Sequence, residues 1–526
     1  MNATTCDTII QMLKAKALEE GDRPFLYFEG KEVSYSGLDL ITNRVGNGIS
    51  KLGVGKEDKV ALMLPNCLEF IYAWLGMAKI GAVEVPVNTA HKGDMLAYLI
   101  NDSDAKVLVI DSRFLSRIKL IEDELTSLET LVVWEEEPYE PTYFKRLSIV
   151  SYDELYAGSE KLEDLGLTAQ DEFCILYTSG TTGPSKGVVM PHRYVVHTCV
   201  SNAAQLGYTR DEVLYTCLPL FHGNAQILAV LPALVVGAKV HLYRRFSAGR
   251  FWNEIDNCGA TVTNLPGSVI SILLKQPSNE NDRKHTLKKV FTAGTPKAAL
   301  EQFEERFGAT IYEGYGSTEC GMILMNTVDD RRPGSIGKPT DGYRVVIFDD
   351  DDNELPAGSK GELVTRPEKP FCMMKWYFRM PDKTMEACRN LWFHTGDYAY
   401  RDADGYYYFM DRKKDVIRRR GENISSFEVE RSVNAHPKVL ESAALAIPDP
   451  LGEYEVKVVA IPRPGSELSY EELIAFCQER MADYMVPRYL EFKDALPKTP
   501  TDRVEKYKLR QEGINSATWD RLAKGK

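Results

Sequence analysis

Twice along this chain, a short apolar run gives way to a segment whose apolar residues fall three and four apart, and then to another short apolar run. "DKVALML" (58–64) reads as a buried strand. Asn66 then caps a helix in which Leu68, Ile71, Trp74, Leu75 and Ala78 share a face, until Gly81 ends it. "AVEVPV" and "AKVLVID" (105–111) follow as strands. In the second cycle, "KKVFTAG" is a strand and "LEQFEERFG" a helix that buries Leu300, Phe303 and Phe307. "ATIYEGYGSTE" returns to a strand followed by a Gly-rich turn. Strands joined through a helix lie parallel, with the helix covering one face of their sheet. The pattern therefore predicts an α/β fold of helix-covered sheets, with no repeat or low-complexity tract.

The character changes near residue 400. "YAYRDADGYYYFMDRKKDVIRRRGENIS" reads as a hairpin turning at Asp404–Gly405 and then a dense basic run. Ser425 with Glu428, and Ser469 with Glu472, form capping-box pairs that open two later helices. "AALAIP" and "EVKVVAI" lie between them as strands. A chain of 526 residues is too long for one core. The division expected is a large N-terminal domain over 1–413 and a smaller α+β C-terminal domain over 414–526, with the boundary near 411–415.

Composition narrows the function. A net charge of −12 argues against nucleic acid or an anionic membrane as a general partner, because both need a broad basic face. It leaves room for a local cationic site. Ten cysteines without a C-x-x-C pair predict reduced thiols in the cytoplasm and no structural zinc. The N-terminus lacks a basic start followed by an apolar core, so no secretory signal is expected. The long apolar stretches 71–87 and 225–240 are broken by Lys79, and by Pro232 and Gly237. Neither reaches the roughly 20 residues that span a bilayer. Oligomeric state is not readable from the sequence.

Three motifs carry chemistry. "YTSGTTGPSKGVV" (177–189) resembles a Walker phosphate loop in composition but not in register, since Lys186 follows Ser185 and Gly187 stands where the magnesium-binding hydroxyl belongs. Its small residues would let backbone N–H groups approach an anion, with Lys186 adding charge; the alternative is a flexible linker. "YEGYGSTE" (312–319) ends in Glu319, either a solvated loop carboxylate or a magnesium ligand. "WFHTGD" (392–397) offers Asp397 after a glycine, either a turn aspartate or a carboxylate for ribose hydroxyls. His192 and His197, five residues apart, do not share a helical face and read as structural.

Taken in order with "LPLFHGNA", "FTAGTPK", "DRKKDVIRRRGENISSFEVE" and "LPKTPTDRVEKYKLR", these motifs resemble the adenylate-forming enzymes: acyl-CoA synthetases, firefly luciferase and peptide-synthetase adenylation domains. The resemblance implies that ATP and a carboxylic acid give an acyl-adenylate and pyrophosphate, and that a thiol, that of coenzyme A, then displaces AMP. Two like charges ~4 Å apart repel by roughly 4 kcal/mol at an effective dielectric near 20, so fixed cations must offset the approach of carboxylate to phosphate.

The resemblance also assigns residues. Thr178, Ser179, Gly180, Thr181, Thr182, Gly183 and Lys186 would contact the leaving phosphates. Gly294, Thr295 and Pro296 would line one side of adenine, and Glu313, Gly314 and Tyr315 the other, followed by Gly316 and Ser317. Thr318 would reach the α-phosphate, Glu319 would ligate Mg2+, and Asp397 and Arg412 would hold the ribose. His222 matches a histidine near the acyl carboxylate; a packed core histidine is the alternative. Lys414 matches the hinge, and Gly421 borders the pantetheine channel. Where the family pattern P-x-T-x-x-G-K ends in a lysine, this chain has Arg503, with Lys506 three residues on; either would serve adenylation. The 246–285 region resembles the carnitine/crotonobetaine–CoA ligase branch, which implies a small carnitine-like, alicyclic or aromatic acid. Loading of an acyl carrier protein, or a catalytically weak nucleotide-binding relative, are the other readings.

Overall fold

The computed structural model describes residues 6–136, 142–178, 185–295, 297–412, 416–449, 453–497, 504 and 506–523, without the side chains of Asp411, Arg412, Val416, Asn423, Phe427 and Tyr507. The chain divides into two compact units. The larger comprises Met1–Thr89, Ile100–Tyr177 and Gly187–Asp411; the smaller comprises Ala90–Leu99, Thr178–Lys186 and Arg412–Lys526.

Both strand–helix cycles form as the apolar spacing requires, giving the α/β class. Lys59–Met63 is a strand and Leu68–Lys79 a helix whose residues are nearly all buried. The Lys59–Met63 strand pairs in parallel with Val83–Pro86 and Ala105–Asp111 within a seven-stranded sheet. Lys79, which interrupts the apolar run, is buried with its ammonium on the Asp39 carbonyl and carboxylate and on Asn43 Oδ1. Burial draws its pKa down to about 8.

The second cycle builds the other large sheet, nine strands wide. Val262–Asn264, Lys289–Thr292 and Thr310–Ser317 are parallel neighbours in it. The helix Lys297–Phe307 buries Leu300, Phe303 and Phe307, as its spacing predicts. A four-stranded antiparallel sheet completes the larger unit, in the order Tyr343–Phe348, Lys360–Pro367, Phe393–Arg401, Tyr407–Arg412. Its last two strands flank the Asp404–Gly405 turn.

The smaller unit carries the hairpin Val416–Arg419/Glu422–Ser425 and a four-stranded sheet. The helices Ser426–Asn434 and Tyr470–Arg480 pack over a core that includes Ile417, Val429, Val456, Leu473 and Leu490. Among the described residues no helix is long and apolar enough to cross a membrane.

Three local expectations need correction. Asn66 does not cap the helix: Cys67 is the N-cap, without a side-chain bond. The Asn66 amide donates to the Leu218 and Tyr243 carbonyls and accepts from Leu220 N. Three long-range bonds, two of them buried, outweigh one local cap. The capping boxes form only by half. Ser425 and Ser469 accept from Glu428 N and Glu472 N, but Glu428 takes the Ser185 N–H at 3.1 Å and Glu472 pairs with Lys438 at 2.8 Å. Finally, the Gly-rich stretch after Tyr312 is not a turn: the strand runs on to Ser317, paired antiparallel with Gly321–Met325.

Candidate active site

The strand Thr310–Ser317 is buried at its start and emerges at Tyr315. Two of its glycines are dictated by packing. A Cβ on Gly314 would lie 2.9 Å from the Met322 methyl, and one on Gly316 would lie 2.2 Å from the Gly321 carbonyl oxygen. At Gly316 the clash is with backbone, so only glycine lets the two strands close there; at Gly314 the methyl can move aside, but the Leu324 carbonyl oxygen stands next at 3.0 Å.

Glu313 turns inward, where its Oε2 accepts from Gly334 N at 3.0 Å; burial pushes its carboxyl up to about 7. Because Thr292 pairs with Glu313, the loop after Thr292 lies beside the 313–315 segment. There Gly294 adopts a left-handed φ of 69°, and Thr295 is buried with its hydroxyl 2.9 Å from that of Thr292. The two stretches expected to flank adenine thus lie at the carboxyl ends of neighbouring parallel strands, where open α/β sheets bind ligands. Pro296 lies outside the described residues.

Tyr315 joins this edge to the antiparallel sheet. Its hydroxyl donates to Asp397 Oδ2 at 2.5 Å, and its ring lies 6.4 Å from that of Phe409, tilted by 27°. Burial, and then the Asp397 charge, hold the Tyr315 hydroxyl protonated and so a donor. Asp397 is buried within the strand Phe393–Arg401, which replaces the alternative of a turn aspartate.

Beyond Ser317, whose Oγ accepts from Glu319 N at 3.2 Å, the chain turns back. Tyr194 donates to the Thr318 carbonyl at 3.0 Å. Glu319 is half-buried, and its Oε1 accepts from the Tyr377 hydroxyl at 2.9 Å. Among the described residues no group of three or more His, Cys, Asp or Glu could hold a metal by itself. A lone placed carboxylate suits magnesium, which takes one or two carboxylates and completes its shell with substrate phosphates and water.

His222 stands on a separate segment, half-buried before the helical turn Gly223–Ala225 and the π-helical turn Gln226–Val230. Its ring lies 4.8 Å from that of Phe221. His192 is buried against Phe173, and burial lowers its pKa to about 4. His197 meets the Asp341 carbonyl at 3.0 Å.

In the smaller unit, Thr178 Oγ1 lies 3.5 Å from the Lys186 carbonyl, where the chain enters and leaves the expected phosphate loop. Ser179, Gly180, Thr181, Thr182 and Gly183 lie outside the described residues, as do Lys414, Arg503 and the side chain of Arg412. Gly421 has φ of 83°, and its N–H points to the Glu453 carboxylate at 3.3 Å. The Lys506 ammonium is held by Glu430 at 2.6 Å and by Ser426 Oγ at 2.8 Å.

Tyr377, Tyr194 and Phe409 escaped the sequence reading. None carries a motif of its own, and only pairing across distant segments brings each to the site.

Parallel strand ends that carry an aromatic ring, with a buried carboxylate on the adjoining antiparallel sheet and a separately held glutamate, fit a nucleotide-handling α/β enzyme. The family model described as "AMP-binding enzyme" matches residues 13–378, and "AMP-binding enzyme C-terminal domain" matches 428–503. The chain belongs to this AMP-binding enzyme family. It is 34% identical to a crotonobetaine/carnitine–CoA ligase of Salmonella agona (strain SL483), over 93% of this chain and 96% of that one. The anthranilate CoA ligase AuaEII, solved with anthranoyl-AMP, has a TM-score of 0.73 at 28% identity, covering 97% of this chain and 99% of its own. ATP-bound MatB from Rhodopseudomonas palustris has a TM-score of 0.71 at 25% identity, with the same coverage.

Proposed function

We propose that the chain is an ATP-dependent carboxylate–CoA ligase, an AMP-forming acid–thiol ligase that acts on a small carnitine-like, alicyclic or aromatic acid. The acid attacks the α-phosphorus of ATP and releases pyrophosphate, and the thiol of coenzyme A then takes the acyl group and releases AMP. The observation that carries this reading is the placement of Asp397 on Tyr315 and of Glu319 just beyond the same strand, in a chain of the AMP-binding family. Similarity to ligases for crotonobetaine or carnitine and for anthranilate supports the substrate range.

In this reading Tyr315 stacks on adenine while its hydroxyl orients Asp397, which takes a ribose hydroxyl. Gly294 and Thr295 close the opposite side, and Thr318 reaches the α-phosphate. Magnesium, when bound beside Glu319, screens the phosphate charge that would repel the acid. Residues 178–186 hold the leaving phosphates, and His222 adjoins the acyl carboxylate. Arg503 supplies the cation that bridges carboxylate and α-phosphate. The pairing of Lys506 with Glu430 and Ser426 supports a separate role for that lysine, anchoring the terminal segment to its own unit. The small domain, 414–526, turns about Lys414 between the half-reactions, and Gly421 then borders the pantetheine arm. Ten cysteines without a C-x-x-C pair support a reducing cytoplasm as the setting.

Incubation with ATP, Mg2+ and a panel of small acids, with and without coenzyme A, tests the function. AMP formation that requires both one acid and coenzyme A is expected. Tight ATP binding without turnover on any acid would overturn it, and turnover only with a carrier protein would reassign the acceptor.

A further inference from the structure

The segment 374–378 pairs with two parts of the site at once. Its backbone forms a short antiparallel ribbon with the chain just after Lys186. Lys375 N donates to the Val189 carbonyl at 2.8 Å, Val189 N to the Trp376 carbonyl at 3.0 Å, and Phe378 N to the Gly187 carbonyl at 2.7 Å. Gly187 makes room for it, since a Cβ there would lie 3.3 Å from Phe378 Cβ. The same segment reaches Glu319 twice: Met374 N donates to its carbonyl at 2.9 Å, and the Tyr377 hydroxyl donates to its Oε1 at 2.9 Å. Tyr377 is itself fixed, 3% exposed, with its N–H on Thr384 Oγ1 at 2.9 Å. Phe371 and Arg379, on either side of the segment, hold left-handed backbone at φ of 62° and 55°. Non-glycine residues take that conformation only where the surroundings impose it.

A carboxylate on a flexible side chain loses rotamer freedom when it binds a metal. A hydroxyl that already holds one of its oxygens removes part of that cost and decides which oxygen is left for the ion. We propose that Tyr377 is a positioning residue for the metal site: its hydroxyl holds Glu319 Oε1 and leaves Oε2 for the magnesium that accompanies ATP. The 374–378 ribbon, through the same residue, sets the distance between that carboxylate and the strand leaving the phosphate loop. This inference rests on the reading of Glu319 as the metal ligand.

Tyr377→Phe removes the hydroxyl and keeps the ring. Removing a partner that orients a metal ligand weakens metal affinity by roughly 10- to 100-fold. The enzyme–ATP complex of Tyr377→Phe should therefore bind Mn2+ about tenfold more weakly, read by electron paramagnetic resonance. The Mg2+ concentration for half-maximal pyrophosphate release should rise by a similar factor, kcat at saturating Mg2+ should stay near the parent's, and metal-free AMP affinity should be unchanged. In the Glu319→Gln background, Tyr377→Phe should add no further loss. Unchanged Mn2+ affinity in Tyr377→Phe, where Glu319→Gln weakens it, overturns the positioning role alone. Unchanged affinity in Glu319→Gln overturns the assignment of Glu319 itself. A drop in metal-free AMP affinity would reduce Tyr377 to a packing residue. Should Tyr377→Phe not fold, Thr384→Val, which loosens the Tyr377 backbone, reads the same Mn2+ affinity: a smaller loss supports the role and none overturns it.

Discussion

At 2.5 Å, the Tyr315 hydroxyl holds Asp397 Oδ2. Removing the Asp397 charge removes the Tyr315 partner and, in the proposed reading, the ribose acceptor. Asp397→Ala should raise the KM for ATP by about 10- to 100-fold, since hydrogen bonds to charged groups contribute roughly 1.5–3 kcal/mol. Tyr315→Phe should raise it less, because the stacking ring stays; equal effects would show that the hydroxyl itself contacts the nucleotide. Both are read from initial rates of pyrophosphate release against ATP. Near the C-terminus, Arg503→Ala should slow pyrophosphate release by about 100-fold, the loss typical when one donor to developing charge is removed. Lys506→Met should instead lower Tm by stranding the Glu430 carboxylate. The reverse pattern would make Lys506 the working cation. Asp397 and Glu319 each stand out within one short motif, whereas the partners of Lys506 could not be read because they lie on a helix some 80 residues earlier.

Among the elements, the strand Val83–Pro86 holds a carboxyl where a parallel strand buried on both faces would be expected to hold only apolar groups. Glu84 is fully buried, and its Oε1 accepts from Gln226 Nε2 at 2.7 Å, at the start of the π-helical turn after His222. Burial pushes its pKa up to about 8, against the opposing pull of the Gln226 amide and the Cys174 thiol. Below about 4.5 the group is protonated in both folded and unfolded chain, and its full contribution to stability is present. Between there and about 8 the unfolded chain ionises while the fold keeps its proton, so that contribution is lost as pH rises. Glu84→Gln keeps the shape without the titration. Its Tm relative to the parent should therefore be higher at pH 8 than at pH 5, measured by calorimetry; a pH-independent difference would mean that the buried group does not titrate in this range. Periodicity could place the Val83–Pro86 strand, but not the long-range amide that meets its glutamate.

For the whole molecule, two half-reactions need two arrangements of one set of residues, and a hinge at Lys414 supplies them in the proposed mechanism. Proline there would fix φ near −65° and remove the N–H. Lys414→Pro should leave acid-dependent pyrophosphate release near the parent rate in a single turnover while thioester formation falls by at least about tenfold, both followed by rapid quench. Equal loss in both steps would argue against a hinge at this residue. By itself the sequence determined the α/β class, the helix faces around Leu300, Phe303 and Phe307, and the family, because these depend on short-range spacing and on motifs read within one stretch of chain. Only the tertiary structure decided that Asn66 ties down the 218–220 segment instead of capping a helix, that the glycines at 314 and 316 serve strand contact, and that Tyr377 reaches Glu319. In each case the deciding partner is a backbone or side chain far along the sequence, and what selects it is the burial of a polar group that must find a hydrogen bond somewhere in the folded chain.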